Sequence, residues 1–123
     1  MPIVNEFSIA GTVLMVVVTG EVNTAEELEH NTTLVLQHML KVGCTRVLAD
    51  DRNLKIDVNT LDIFKAASKD AESIREMPAE KFGVILPPEL AEDAKFYENV
   101  AHNRGFRIRF FFDQEEARCW IHE

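Results

Sequence analysis

The order of strand-like and helix-like segments predicts an α/β domain with a mostly parallel sheet. The chain opens with two apolar, β-branched segments separated by the turn signal Ala10-Gly11, which is typical of a hairpin. After Gly20, segments with helical spacing of apolar residues alternate with short apolar strands. Such alternation requires parallel pairing with right-handed crossovers. The expected order is β-β-α-β-α-β-α-β-α, in a five-stranded sheet whose first strand is antiparallel.

The first half of the chain supplies the hairpin, one helix and a buried strand. Strands are expected at residues 3–9 and 12–19. Thr24 and Glu27 have the spacing of a capping box, and Gly43 stands where a helix commonly ends in a left-handed residue. The segment 45–50 is apolar and short, as expected of a buried strand.

The second half repeats the helix–strand unit. A helix capped by Asp57 or Asn59 should end before Pro78, and Pro87-Pro88 should end the next strand, 81–86, and begin a third helix. The core-facing residues predicted for the second helix are Leu61, Phe64, Ala67, Ala71 and Ile74. Those of the third helix are Leu90, Ala94, Tyr97 and Ala101.

The last strand, 107–112, alternates Ile108, Phe110 and Phe112 on one face with Arg107, Arg109 and Phe111 on the other. Charges on a strand discourage unwanted pairing, so this strand should lie at a sheet edge or beside a face that helices do not fully cover. Asp113 and Glu116 form a second capping box, and they open a final helix that buries Ala117, Trp120 and Ile121.

Composition limits the classes of function. A length of 123 residues fits a single domain, 1–123, and the net charge of −8 disfavours nucleic acid and anionic membrane surfaces as partners. Cys44 and Cys119 form no CxxC pair, and the histidines form no metal motif, so we expect neither a zinc site nor a cofactor. We find no secretion signal and no apolar run of membrane-spanning length, and we expect a cytoplasmic protein.

Several segments together resemble a known family. They are the hairpin 7–20, the helix 24–42, the strand Arg46–Asp50 and the ending FFDQEEARCWI at 111–121, which is similar to a DxEEAxxWL helix. In order and spacing, these segments resemble the STAS domain, a module of sulphate-transporter tails and anti-sigma-factor antagonists. They are most similar to its SpoIIAA-like branch, which is related in fold to the CRAL-TRIO lipid-binding domains. The resemblance implies a right-handed β-α superhelix and a regulatory module without catalytic activity.

One departure from that family concerns its phosphorylation switch. In phosphorylated STAS antagonists a serine follows an aspartate at the start of the second helix, and its phosphorylation releases the partner. Here the aligned position is Val58, and the nearest hydroxyl is Thr60. A phosphate on Thr60 would suit a helix N-terminus, but the shifted register argues against the switch.

Two groups of polar residues are candidate sites. Asp50, Asp51 and Arg52 follow a buried strand, and ligands gather at the carboxyl ends of strands in open α/β sheets. Paired carboxylates there could hold Mg²⁺ for a small hydrolase, although loop carboxylates paired with Arg52 are the simpler interpretation. The second group, Arg104, Arg107 and Arg109, is the basic cluster of an acidic chain, and it could contact an anion or an acidic partner.

Two functions from different classes remain. The first is a noncatalytic STAS-like regulatory module that docks to a partner protein or to itself as a homodimer. Its docking surface would be Asp57, Asn59 and Thr60, with a mobile loop at 51–55. The second is a binder or carrier of a small apolar or amphipathic, lipid-like ligand, held in a pocket between helices and sheet that is lined by Phe64, Phe82 and Phe96.

Overall fold

The strands occur in the sheet in the same order as in the sequence, β1-β2-β3-β4-β5. The computed structural model describes residues 1–123. β1 (Val4–Ala10) pairs antiparallel with β2 (Val13–Val22), and every later pair is parallel. The later strands are β3 (Arg46–Ile56), β4 (Lys81–Ile85) and β5 (Arg109–Phe111). The predicted α/β class, with its antiparallel first strand, is confirmed.

The helices follow the strands as expected. They are α1 (Ala25–Val42), α2 (Thr60–Glu76), α3 (Ala91–Asn103) and α4 (Gln114–His122), and a 3-10 turn at Pro88–Leu90 leads into α3. Thr24 and Glu27 form the predicted capping box of α1, which ends at the left-handed Gly43. None of the helices combines the length and the apolar character that a membrane span requires.

The sheet separates two unequal cores. α1, α2 and α3 cover one face, where Leu14, Val16 and Val47 belong to the larger buried cluster. α4 lies against the other face over β3, β4 and β5, and there Leu48 and Ile121 belong to the smaller cluster. From β2, Val13 and Met15 join this smaller cluster.

The last strand was expected to lie at a sheet edge or beside a face that helices do not fully cover, and both descriptions hold. β5 is an edge strand. The incomplete cover of the second face is seen at Val4 and Val17, which remain 47% and 41% exposed. The alternation expected over 107–112 is only partly correct. Ile108 and Phe111 are buried on opposite faces, but Phe112 is 41% exposed because the strand ends at Phe111.

The third strand is longer than the sequence predicted. It was expected to end at Asp50, where its pairing with β4 does end. β2, however, runs on to Val22, and β3 stays paired with it from Asn53 to Ile56 after a register shift. Asp51 to Lys55 therefore form part of a strand, and the mobile loop predicted there is wrong.

The inward face of α2 also differs from the prediction. Leu61 and Phe64 are 58% and 40% exposed, while Ile63 and Asp70 are buried. The small residues Ala66, Ala67 and Ala71 complete the buried face. α2 packs mainly against α1 and α3, and the small residues permit that close approach, while Leu61 and Phe64 turn outward.

Candidate functional site

A pocket lies between the sheet and the layer formed by α1, α2 and α3. Its volume is about 120 Å³, and 16 of its 21 lining residues are hydrophobic. We call it the interlayer pocket. β2, β3, β4, all three covering helices and the segment around β5 contribute to its lining: Val18, Leu28, Asn31, Thr32, Val35, Ala49, Asp51, Ile56, Val58, Ile63, Asp70, Phe82, Val84, Leu86, Leu90, Asp93, Ala94, Tyr97, Phe106, Ile108 and Phe110.

α2 packs mainly against α1 and α3, and all three helices contribute to the pocket wall. Most of the lining side chains, such as Val18, Val35 and Ile108, belong to the larger apolar core. Asp93, in the first turn of α3, is the exposed member of the lining. The pocket therefore opens to solvent beside the start of α3.

Asp70 is the buried acidic residue of this site. It is 2% exposed and lies on the inner face of α2. Its Oδ2 accepts a short hydrogen bond from the Tyr97 hydroxyl, and the Thr32 hydroxyl lies 3.2 Å from the same oxygen. The other oxygen, Oδ1, is shielded from solvent and has no hydrogen-bond partner.

Burial dominates the electrostatics of Asp70. Loss of solvent raises the pKa of its carboxyl to about 7, and this outweighs the opposing hydrogen bonds from Tyr97 and Thr32. The pKa of Tyr97 lies well above its ordinary value, because the hydroxyl is buried and the charges of Asp70 and Asp51 oppose its ionisation. Near neutral pH, Asp70 is therefore poised between its charged and neutral forms.

Asp51 enters the same pocket from β3. Its Oδ1 is also buried and also lacks a hydrogen-bond partner. Burial, followed by the negative charge of Asp50, raises the pKa of the Asp51 carboxyl to about 7. Two residues of the largely apolar pocket wall, Asp51 and Asp70, thus each have a buried carboxyl oxygen without a hydrogen-bond partner in the protein.

Asp50 and Asp51 do not act as a pair. Successive residues of a strand point to opposite faces of the sheet, so Asp50 lies away from the pocket and binds the Arg52 guanidinium with contacts of 2.9 and 2.7 Å. These hydrogen bonds from Arg52 lower the pKa of Asp50. The pairing with Arg52 is as predicted, but the two carboxylates cannot share one ion. No group of three His, Cys, Asp or Glu side chains is arranged to hold a metal.

The predicted docking residues lie at the start of α2. Asp57 and Thr60 are exposed, and Asn59 caps the helix by accepting a hydrogen bond from the Asp62 amide at 2.8 Å. Val58, the position aligned with the family's serine, is partly buried and lines the interlayer pocket. The side chain at this position is thus an apolar part of the pocket wall.

The predicted arginine cluster is spread over the surface. The Arg104 guanidinium lies 5.2 Å from the ring centre of Phe64 on α2. That of Arg109 lies 5.5 Å from the Phe111 ring on the opposite sheet face. Arg107 lies between these two residues in the sequence and is exposed. Arg104 and Arg109 therefore contact different elements.

The aromatic pocket predicted from sequence is partly correct. Phe82 lines the interlayer pocket, whereas Phe64 is 40% exposed, and Phe96 packs at the margin of the core without entering the lining. Sequence reasoning missed Asp70, although its position relative to Ile63, Ala67 and Ile74 follows helical spacing. An acidic residue in an apolar stripe was the available signal.

Solved structures with the same architecture share little sequence with the chain. An anti-sigma factor antagonist from Mycobacterium paratuberculosis is 11% identical with a TM-score of 0.64, over 98% of this chain and 95% of that one. An uncharacterised DUF3478-family protein with a SpoIIAA-like fold from Shewanella loihica PV-4 is 17% identical, with a TM-score of 0.56 and coverage of 98% and 94%.

The unphosphorylated form of the anti-sigma factor antagonist SpoIIAA is also similar, at 11% identity and a TM-score of 0.52 over 97% and 98% of the two chains. No protein-family model matches the sequence, and a search of curated proteins finds no sequence match. The chain therefore has the SpoIIAA-like fold of the STAS domains, as its sequence pattern predicted, and this likeness concerns fold alone.

Proposed function

We propose that the protein is a noncatalytic regulatory module of SpoIIAA-like fold that binds a small, largely apolar ligand in the interlayer pocket. The observation that carries this proposal is the pocket itself, with 16 hydrophobic residues among the 21 that line it. Ligand sites are concave and mostly apolar, with a few polar groups that fix orientation. Asp51, Asp70 and Tyr97 supply such groups.

Burial of apolar surface supports an occupant. Removing apolar surface from water is favourable by roughly 25 cal/mol per Å². Because most residues of the pocket wall are hydrophobic, a ligand seated in the pocket would gain free energy by covering that wall.

The pocket volume sets the size of the ligand. A dry cavity of roughly 150 Å³ accommodates benzene, and pockets for drug-sized ligands begin at about 300 Å³. The interlayer pocket, at about 120 Å³, therefore suits a ligand whose apolar part is about the size of one benzene ring. The ligand proposed here is smaller than a lipid.

Native mass spectrometry of protein purified gently from a cell extract tests this proposal. We expect a mass excess that disappears on denaturation, and its loss in Ala49→Leu, which places a larger side chain in the pocket wall. Val17→Leu enlarges an exposed side chain on β2 outside the pocket lining, so this control should keep the excess. A wild-type protein with no bound mass would contradict the proposal.

Docking to a partner protein is the second candidate function. Leu61 and Phe64 are 58% and 40% exposed and lie one helical turn apart, beside Asp57 and Thr60 of the predicted docking surface. Two of the similar structures are anti-sigma factor antagonists, which supports a regulatory role of this kind. The partner would present an apolar patch to this end of α2. A cytoplasmic location and a homodimer through the open sheet face stay predictions.

A matched pair of surface variants tests the docking function. Leu61→Asp should abolish capture of a partner that the wild-type protein retains. Leu40→Asp places the same charge at a leucine that is 52% exposed on α1, and it should retain that partner. Equal capture by both variants would exclude this end of α2 as the docking surface.

A further inference from the structure

Two buried acceptors in the interlayer pocket have no donor. Asp70 Oδ1 and Asp51 Oδ1 are both shielded from solvent, and neither makes a hydrogen bond within the protein. Leaving a buried polar group unsatisfied is costly, and native structures contain few such groups. Both residues line the pocket, so a ligand there could supply the missing donors.

The charge of the pocket wall has one sign. Asp51, Asp70 and Asp93 are its charged residues, and it contains no Lys, Arg or His. Opposite charge close to a carboxylate is favourable, particularly where water is excluded. Carboxylate or phosphate groups on a ligand would be repelled by the same wall. The complementary ligand is therefore cationic.

Aromatic rings add to this preference. Tyr97 and Phe110 pack edge to face with ring centres 5.3 Å apart, and both line the pocket. The Tyr97 hydroxyl donates to Asp70, which places this aromatic group beside the free carboxyl oxygen. Ring faces attract cations, and ring edges pack well against apolar groups.

We propose that the ligand of the interlayer pocket is a small apolar amine. Its apolar part fills the pocket, its ammonium group hydrogen-bonds to the free oxygen of Asp70, and the charge of Asp51 attracts it. This inference rests on the proposed function, because it assigns a chemical class to the ligand of the same site. An ammonium group offers three donors and a charge, whereas an alcohol offers one donor without charge.

The proposal carries a pH dependence with a defined sign. The pKa values of Asp70 and Asp51 are both raised to about 7, so these carboxyls gain negative charge as the pH rises from 6 to 8. The groups that act on the pKa of Asp70 are Tyr97 on α3 and Thr32 and Glu29 on α1. Asp50 raises the pKa of Asp51, and the charge of Asp51 in turn raises the pKa of Tyr97. Asp93 lies at the rim. A cationic ligand should therefore bind more tightly at pH 8 than at pH 6.

Three ring compounds of nearly equal size test the inference by isothermal titration calorimetry or ligand-observed NMR. They are benzylamine, which is cationic, benzyl alcohol, which is neutral, and benzoate, which is anionic. At pH 8 we expect benzylamine to bind about tenfold more tightly than benzyl alcohol, since hydrogen bonds to charged groups are roughly twice as strong as neutral ones. Benzoate should bind most weakly.

Variants of Asp70 and Asp51 test whether their carboxyls cause the preference for benzylamine over benzyl alcohol. Asp70→Asn and Asp51→Asn should each reduce benzylamine affinity several-fold and flatten its pH dependence, while the affinity for benzyl alcohol stays within about twofold. Glu6→Gln removes one charge from the exposed strand β1 and should change neither ligand. Unchanged binding of benzyl alcohol also shows that each variant is folded.

The outcomes separate this inference from the function on which it rests. Binding of benzyl alcohol or benzoate at least as tight as that of benzylamine would overturn the amine assignment and leave the proposed ligand pocket intact. A benzylamine preference that survives in both Asp variants would also overturn it. Failure of all three compounds to bind would overturn the inference and count against the pocket as a ligand site.

Discussion

Asp70 has a buried carboxyl that the protein satisfies only in part. Its Oδ2 contacts the hydroxyls of Tyr97 and Thr32, whereas its Oδ1 makes no hydrogen bond within the protein. An unsatisfied buried acceptor lowers stability by about 1–3 kcal/mol. An apolar residue at this position would avoid that cost, but it would also remove the acceptor of the Tyr97 hydroxyl.

Stability should change with pH through Asp70. The folded-state pKa is about 7, and the unfolded value is about 3.9, so the folded protein binds more protons between these values. The free energy of unfolding therefore falls as the pH rises from about 4 to about 7, by an amount on the order of 3 kcal/mol for one such group.

Asp70→Asn tests this dependence, because the amide oxygen can still accept from Tyr97 and Thr32 but cannot ionise. Relative to wild type, we expect the variant to gain stability on the order of 2 kcal/mol between pH 5 and pH 8, as measured by urea denaturation. Asp57→Asn, at an exposed position, should show no such gain. Parallel pH profiles for wild type and Asp70→Asn would contradict the assignment.

The inward position of Asp70 could be predicted from the sequence, whereas the unpaired carboxyl of Asp51 could not. Helical spacing places Asp70 in register with Ile63 and Ile74, so its inward position was predictable from the correct helical face. The larger Leu61 and Phe64 suggested a different face, because hydrophobicity alone favours the larger side chains. The missing hydrogen bond of Asp51 depends on which groups of α2 and α3 approach β3, and that is set by tertiary packing.

At the scale of elements, the length of β3 decides where Asp51 points. Pairing with β2 continues to Ile56, so Asp51 is held in an extended strand with its carboxyl on the pocket side. A loop at this position would leave that carboxyl free to reach water. The sequence did not predict this extension, because strand length here depends on the partner strand β2 rather than on local residue preferences.

The start of α2 is stabilised by a capping box. Asn59 accepts from the Asp62 amide, and Asp62 accepts from the Asn59 amide at 3.1 Å. Asn59→Ala should lower the free energy of unfolding by about 1 kcal/mol and increase hydrogen exchange in the first turn of α2. Thr60→Ala, at the next and exposed position, should stay within about 0.5 kcal/mol of wild type. Equal losses for both variants would argue against the cap.

Close contact between β4 and α4 requires a glycine. A Cβ atom at Gly83 would lie 2.9 Å from Trp120 Cζ3 and 3.2 Å from Leu48 Cδ1. Gly83→Ala should therefore displace the Trp120 ring, cost about 1–3 kcal/mol and shift tryptophan fluorescence, to which Trp120 is the sole contributor.

Val84→Ala is the matched control for this contact, because Val84 faces the interlayer pocket from the neighbouring position of β4. It should lower stability by about 2 kcal/mol and leave the wavelength of tryptophan emission unchanged. A Gly83→Ala protein with wild-type stability and emission would show that α4 lies farther from β4 than described.

For the whole molecule, the fold was predictable, and the pocket was predictable only in part. The turn at Ala10-Gly11, the capping residues Thr24 and Asn59 and the alternation of strands and helices determine the element order and the parallel pairing. A pocket between helices and sheet was expected, and Phe82 lines it, but Phe64 and Phe96 do not. Which side chains reach the pocket depends on how the helices pack on one another and on the sheet, a three-dimensional property that no local pattern encodes.

The space between the helices and the sheet is proposed to be a ligand site. Methyl-labelled protein titrated with benzyl alcohol and followed by NMR tests this proposal directly. We predict saturable shifts for Val18, Val35 and Ile63, which line the interlayer pocket, and none for Leu48 and Ile85 in the smaller cluster under α4. Shifts spread over both clusters, or no saturable shift at the pocket methyls, would contradict the proposal.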